Sequence, residues 1–243
     1  MKSKKPSSEF LRGLKAGLPI CLGYFSVSFA FGIFAVETGL SVWQTLLVSL
    51  TNVTSAGQLA GVPLLVAGAS FAEIALTQLV INLRYSLMSV TLAQKLDRKV
   101  NLLDKLVIAF VNTDEVFAVS VTEGRSLPKA FMYGLILTPY LGWACGTFFG
   151  AAAGNILPES VVSALGIAIY GMFTAIVVPP AMKNRNVLTA VILACALSCA
   201  FKFIPFLSGV SGGFAIILSA VPVSLLMAFL RPVPSEVEEE AAV

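Results

Sequence analysis

The stretch Glu73-Ile74-Ala75-Leu76-Thr77-Gln78-Leu79-Val80-Ile81-Asn82-Leu83-Arg84-Tyr85 decides how this chain is read. It lies inside an apolar run, yet carries Glu73, Gln78, Asn82 and Arg84, groups that are costly in hydrocarbon unless buried against protein, solute or water. Glu73, Thr77, Ile81 and Arg84 recur at helical spacing as one stripe, and Gln78, Asn82 and Tyr85 form the stripe beside it. One side of this helix therefore faces protein or water rather than lipid.

The surroundings make hydrocarbon the relevant solvent. Of 243 residues, 57% are hydrophobic and 12% charged, with mean hydropathy +0.90, whereas soluble domains carry about 25% charged residues. The apolar runs are continuous over about twenty residues, the length of a spanning helix, and lack the alternation of a membrane barrel. An all-α, polytopic helical membrane protein is expected. The chain has no histidine, which removes the commonest metal ligand and acid–base group. A Ser-His-Asp enzyme is thereby excluded, and no enzyme, cofactor or metal site is expected. Cys21, Cys145, Cys195 and Cys199 lie in apolar runs without Cys-x-x-Cys spacing and read as packing residues.

In chain order, a basic amino terminus, 1–16, precedes a single transmembrane domain, 17–230, and an acidic tail, 231–243. Apolar runs place helices at 17–37, 41–70, 71–93, 105–121, 130–153, 159–181, 187–204 and 212–230. Two of these are unusual. The run 41–70 is interrupted by Asn52-Val53-Thr54-Ser55-Ala56-Gly57-Gln58 and by Gly61 and Pro63, and reads as two half-helices around a polar break. The run 105–121 is short, with Asp114-Glu115 at its centre, a pair that a lipid-facing helix would not carry.

The sixteen Lys and Arg decide the topology. Five precede residue 16, namely Lys2, Lys4, Lys5, Arg12 and Lys15, and Lys95, Arg98, Lys99 and Lys105 form a second cluster. Arg125, Lys129, Lys183, Arg185 and Arg231 complete the loop cations, leaving Arg84 and Lys202 inside spans. If 41–70 is re-entrant and 105–121 does not cross, every loop cation faces the cytoplasm, as the positive-inside rule requires. That arrangement has six crossings and both termini inside. Counting both unusual runs as full spans gives eight crossings and moves the Lys95–Lys105 cluster outside. A faint internal repeat, 17–93 against 130–204, pairs Leu22-Gly23-Tyr24 with Leu141-Gly142-Trp143, a habit of secondary transporters.

Two half-helices meeting inside a membrane expose backbone groups that protein, water or a solute must satisfy, and a half-helix amino terminus suits a carboxylate. Asn52, Gly57 and Gln58 at the break, with Asn82 and Arg84, are the candidate substrate-binding groups. Tyr24, Phe25, Phe29 and Phe31 would supply an aromatic wall. Glu73, Asp114 and Glu115 are candidate proton carriers. In the plainer alternative, Arg84 pairs permanently with one of these acids and locks two helices, and the break is a kink whose small residues permit close packing. Lys202, near its helix end, is expected to snorkel.

Several motifs together carry a family resemblance: Gly17-Leu18-Pro19-Ile20-Cys21-Leu22-Gly23-Tyr24 with Phe29-Ala30-Phe31-Gly32, then Ala56-Gly57-Gln58, Asn82-Leu83-Arg84-Tyr85 with Leu87-Met88, and Thr113-Asp114-Glu115 with Phe117. From about residue 10 to 230 the chain resembles the AzlC-type large subunit of the branched-chain amino acid exporter family. The resemblance implies export of valine, leucine, isoleucine or related amino acids across a bacterial inner membrane, driven by the proton gradient. It also implies a small AzlD-type membrane subunit as partner. A scaffold that only binds such a partner, without transporting, is the competing function.

Overall fold

The computed structural model describes residues 6–123, 126–154, 157–207 and 209–232. Lys2, Lys4, Lys5, Arg125 and the glutamates of the acidic tail lie outside the described residues. Those described form ten α-helices: α1 (Pro6–Thr38), α2 (Val42–Thr51), α3 (Ser55–Val66), α4 (Phe71–Lys95), α5 (Leu102–Phe110), α6 (Asp114–Thr122), α7 (Lys129–Ala153), α8 (Glu159–Lys183), α9 (Arg185–Phe203) and α10 (Gly212–Leu230). This is the polytopic helical architecture expected, and α1, α7, α9 and α10 are each long and apolar enough to cross a bilayer.

Length sorts the helices into two groups. α1, α4, α7, α8, α9 and α10 have 19 to 33 residues, whereas α2, α3, α5 and α6 have 9 to 12. At about 1.5 Å per residue the short ones rise roughly 13–18 Å, about half the hydrocarbon thickness. The run 41–70 is the expected pair of half-helices, with the break narrowed to residues 52–54. The run 105–121 differs from expectation, because it too is broken, at Val111-Asn112-Thr113. Asp114 and Glu115 consequently occupy the first turn of α6 rather than a helix centre, where the positive end of the helix dipole stabilises carboxylates. α1 also starts earlier than expected, at Pro6, so Arg12 and Lys15 are helical.

Contacts divide the chain into two units, the first comprising residues up to Gly68 with Ile81–Tyr170, the second Ala69–Val80 with the chain from Gly171. The first unit is built on α1 and α7. A Cβ added at Gly13 would lie 2.1 Å from the Phe131 carbonyl oxygen, one at Gly146 2.3 Å from that of Phe25, and one at Gly150 1.9 Å from that of Phe29. Gly134, Thr138, Gly142, Gly146 and Gly150 recur every fourth residue, so the backbones meet with almost nothing between them. The contacting numbers rise together along both chains, which makes α1 and α7 parallel.

Each pair of short helices forms a hairpin whose two open ends lie at the same end of this unit. In the first turn of α2, Trp43 lies beside Phe148, late in α7, and a Cβ on Gly39 would meet Val66 at the close of α3. The tip of this hairpin reaches the middle of α7, where the Tyr140 hydroxyl donates to the Leu50 carbonyl. α5 begins at the opposite end, where Asp104 accepts from Lys129 at 2.6 Å and Tyr133 at 2.9 Å. Those donors, with the Asn101 backbone, hold the Asp104 carboxyl below the ordinary aspartate range. α6 returns to that same end: Lys95 donates to the Val121 carbonyl, and Arg12, stacked on Phe131, pairs with both Glu9 and Glu123. The carboxyl end of α4 arrives there too, with the Asp97 amide bonded to Leu127. Leu92, Leu96, Ile108, Val116, Phe131 and Met132 pack together beneath the α5–α6 hairpin.

The two hairpins therefore enter from opposite ends, each after a long helix. Their first arms share local chemistry at a spacing of 60 residues. Ser41 and Gln44 form a capping box at α2, as Asn101 and Asp104 do at α5, and Asn52 and Asn112 stand in the two breaks. Succession repeated with reversed direction is the pattern of inverted-topology transporters. The repeat expected from the sequence instead sets α1 opposite α7, the pair that packs side by side.

In the second unit α9 packs on α10. The Glu73 carboxylate accepts from the Ser211 hydroxyl and, at 3.1 Å, from the Gly213 amide, so it serves the amino terminus of α10. α9 buries no residue, and Leu188, Ile192 and Leu193 point outward, an arrangement that suits hydrocarbon rather than water. Lys202 is exposed near the end of α9. Cys145, Cys195 and Cys199 are also exposed on helix surfaces, which departs from the packing role expected of them; Cys21 packs against Gly142.

Candidate functional site

The two hairpin tips approach one another inside the first unit, and between them lies a cavity of about 200 Å³. It is lined by Thr51, Asn52, Val53 and Thr54 from the first tip, Asn82 and Tyr85 from α4, and Ala109, Phe110 and Asn112 from the second. Its size is below that of drug-sized ligand pockets and of the order of a small metabolite. The lining carries three carboxamides, hydroxyls and a few apolar groups, and no charged side chain. Tyr140 reaches both tips, donating to the Leu50 carbonyl at 2.9 Å and resting its ring 6.3 Å from that of Phe110.

The first tip is held by a buried polar net. Thr54 caps α3 by accepting from the Gly57 amide and donates to the Asn82 carboxamide oxygen at 2.8 Å. Gln58, 1% exposed, donates to Ser49 and accepts from the Trp143 indole at 3.0 Å, while Ser49 bonds Thr147. A half-helix inside a membrane has no water for its frayed end, and these side chains answer that need.

The second tip is held by charge. Arg84 lies on the face of Tyr85 and pairs with Asp114 at 2.7 Å. Glu115 accepts from the Tyr24 hydroxyl, and Tyr24 packs edge-on to Trp143 at 5.2 Å. The two acids of α6 thus point to different neighbours, Asp114 to α4 and Glu115 to α1. Asn112 is anchored through its amide nitrogen to Ser89 at 3.2 Å.

Of the residues singled out in the sequence, Asn52 and Asn82 line the cavity. Gly57 and Gln58 stand behind its first tip, Tyr24 and Glu115 brace the second, and Arg84 and Asp114 are engaged with one another. Glu73 belongs to the other unit, although it shares a helix with Arg84. The aromatic wall is also different: Phe25 packs on Phe29 and Phe149, and Phe31 is buried, so the cavity takes its apolar surface from Val53, Ala109 and Phe110. Asn112, Phe110, Ser49, Tyr140 and Trp143 were not among the expected residues. A signal for Asn112 was present, because Asn52-Val53-Thr54 and Val111-Asn112-Thr113 are similar polar interruptions of apolar runs.

The comparisons with known proteins agree with this architecture. The AzlC protein family matches residues 19–157. An uncharacterized membrane protein of Archaeoglobus fulgidus is 36% identical over 193 residues, 79% of this chain and 84% of that protein. The inner membrane protein YgaZ of Escherichia coli K12 is 27% identical over 240 residues, 95% of each. An uncharacterized membrane protein of Helicobacter pylori is 30% identical over 177 residues, 67% of this chain and 76% of that one. No solved structure matches. The matched span contains the cavity, both hairpins, α7 and α1 from Pro19 onward, and the chain belongs to the AzlC family of membrane proteins.

Proposed function

We propose that this chain is a secondary transporter that exports branched-chain amino acids, valine, leucine, isoleucine or a relative, across a bacterial inner membrane together with a small AzlD-type membrane subunit. The observation that carries the reading is an uncharged, carboxamide-lined cavity between two half-membrane hairpins that enter from opposite ends. Such a cavity accepts a solute with no net charge, and its apolar side at Val53, Ala109 and Phe110 suits an aliphatic side chain. Broken helices that present backbone ends to a solute are a recurring construction of transporter sites.

Six crossings follow if the long helices span and the hairpins do not. Arg12, Lys95 and Lys129 lie at one end of the first unit, and the positive-inside rule makes that end cytoplasmic, with both chain termini on the same side. Asp114 and Glu115, in the first turn of α6 at the tip of the second hairpin, are the candidate proton carriers; Glu73 is a weaker one, being engaged with Ser211 and Gly213. Arg84 acts through Asp114 rather than on the solute.

The decisive experiment is efflux of labelled valine, leucine and isoleucine from cells expressing the chain with and without its small companion. Flux that requires this chain supports the transporter. A chain that assembles with the companion yet gives no flux is a scaffold.

A further inference from the structure

We propose that the outer face of α6, with the adjoining stripe of α4, lines a water-filled vestibule that runs from the end of the first unit carrying Arg12 and Lys95 down to Asp114 and Glu115. The proposal takes from the transporter reading above the assignment of that end to the cytoplasm. It adds the route by which water, and with it a proton, reaches the two acids.

The arms of the second hairpin are equal in length, nine residues each, yet differ in what they expose. α5 turns Leu102, Leu103, Leu106 and Val107 outward, as a helix against hydrocarbon does. α6 exposes no large apolar side chain: Val116 is buried, and Phe117, Val119 and Val121 are half-buried. Its exposed residues are Glu115, Ala118 and Thr122, which follow one line along a helix. α4 shows the same contrast within a single helix. Leu79, Leu83 and Val90 are exposed on one face, whereas Arg84 and Thr91, also exposed, lie two turns apart on another. That second stripe borders α6, since Arg84 pairs with Asp114 and Lys95 donates to the Val121 carbonyl.

Depth gives this polar face its meaning. α6 starts at the hairpin tip and rises roughly 13 Å to its open end, about half the hydrocarbon thickness. At that tip the Arg84 and Asp114 side chains are half exposed, and Glu115 is exposed with the Tyr24 hydroxyl from α1 as its hydrogen-bond donor. Ionised groups at membrane depth face protein or a water-filled cavity, not lipid. An acyl chain laid on this face would strip solvent from both acids and from Arg84, while water finds carboxylates and the hydroxyls of Thr91 and Thr122 to bond, with only the methyl of Ala118 in its way.

The test is thiol accessibility in the full-length chain, using inside-out membrane vesicles and trimethylammonioethyl methanethiosulfonate, a cationic reagent that does not cross the bilayer. Ala118→Cys probes the vestibule at depth, Thr122→Cys its mouth, and Leu106→Cys the lipid-facing arm. Modification is read peptide by peptide by mass spectrometry, so the native cysteines stay in place. Ala118→Cys and Thr122→Cys are expected to react about tenfold or more faster than Leu106→Cys, because a thiol in apolar surroundings stays protonated and inert. Fast modification of Thr122→Cys, which reports a folded and inserted chain, with Ala118→Cys as slow as Leu106→Cys overturns the vestibule. So does fast modification of Ala118→Cys that is lost when the small companion is co-expressed, since the face is then a subunit interface. Valine uptake by the same vesicles, which is export in this orientation, is measured separately. Slow modification of Ala118→Cys with uptake intact removes the vestibule and leaves the transporter; fast modification without uptake keeps the vestibule and removes the transporter.

Discussion

The Arg84 guanidinium lies 2.7 Å from the Asp114 carboxylate, joining the middle of α4 to the first turn of α6. The side chains are 52% and 43% exposed, so the pair contributes less than about 1 kcal/mol to stability. Its value is positional, since it sets the tip of the second hairpin against the helix that supplies Asn82 and Tyr85. Arg84→Ala is expected to leave the melting temperature within a few degrees of the parent and to lower valine efflux about tenfold or more. Reversal of both charges, Arg84→Asp with Asp114→Arg, is expected to restore part of it. Parental efflux by Arg84→Ala would remove the pair from the mechanism.

The acids of α6 sit on different neighbours, Asp114 on Arg84 and Glu115 on Tyr24. Asp114→Asn and Glu115→Gln are expected to flatten the dependence of export on external pH if these groups carry the proton. The measurement is initial efflux rate across a pH series in energised vesicles. A profile unchanged in both variants transfers the role elsewhere.

The α1–α7 contact leaves no volume for a side chain. Gly150→Val and Gly146→Leu place atoms where backbone already lies, and overpacking of this kind costs about 1–3 kcal/mol or more. Both are expected to abolish a monodisperse peak in detergent. Gly23→Ala, on α1, meets nothing within 4 Å, and is expected to be neutral or slightly stabilising, because Ala favours a helix over Gly.

Asp104 ties the start of α5 to α7, and its folded pKa is depressed by Lys129, Tyr133 and the Asn101 amide. A depressed carboxylate stabilises the fold fully above its unfolded pKa, about 3.9, and loses that contribution as pH falls through the lower folded value. Asp104→Asn is therefore expected to melt below the parent at pH 7. The difference should shrink below about pH 4 and vanish once the parent carboxyl is protonated. A constant difference across that range would mean that geometry, not charge, is what the substitution disturbs.

Re-entrant hairpins make a topological prediction. Reporters fused after Arg98 and after Arg185 are expected to read cytoplasmic, and one inserted at Gly39 or Gly68 to read external. An external signal near Arg98 returns the eight-crossing arrangement.

Much of this was legible before any coordinates. The break at Asn52-Val53-Thr54 announced itself because polar residues interrupt an apolar run, and α3 duly starts after Thr54. The second break did not, because Asn112 and Thr113 adjoin Asp114-Glu115, and the acids suggested a polar patch on one helix rather than a new helix start. Gln58 looked like a solute ligand for the same reason that it is a structural one, since a carboxamide in hydrocarbon must be paired; its partners, Ser49 and Trp143, lie 9 and 85 residues away.

By itself the sequence determined the solvent and the helical class. Those follow from composition and from apolar run length, which act locally and need no partner. The tertiary structure alone decided which polar groups face the cavity. Glu73 and Arg84 share a helix and part company because α4 contributes to two units, so that one meets the start of α10 and the other the start of α6. A charge in a low-dielectric region takes whichever partner packing brings near, and here those partners, Ser211 and Gly213 for Glu73 and Asp114 for Arg84, lie far from it along the chain.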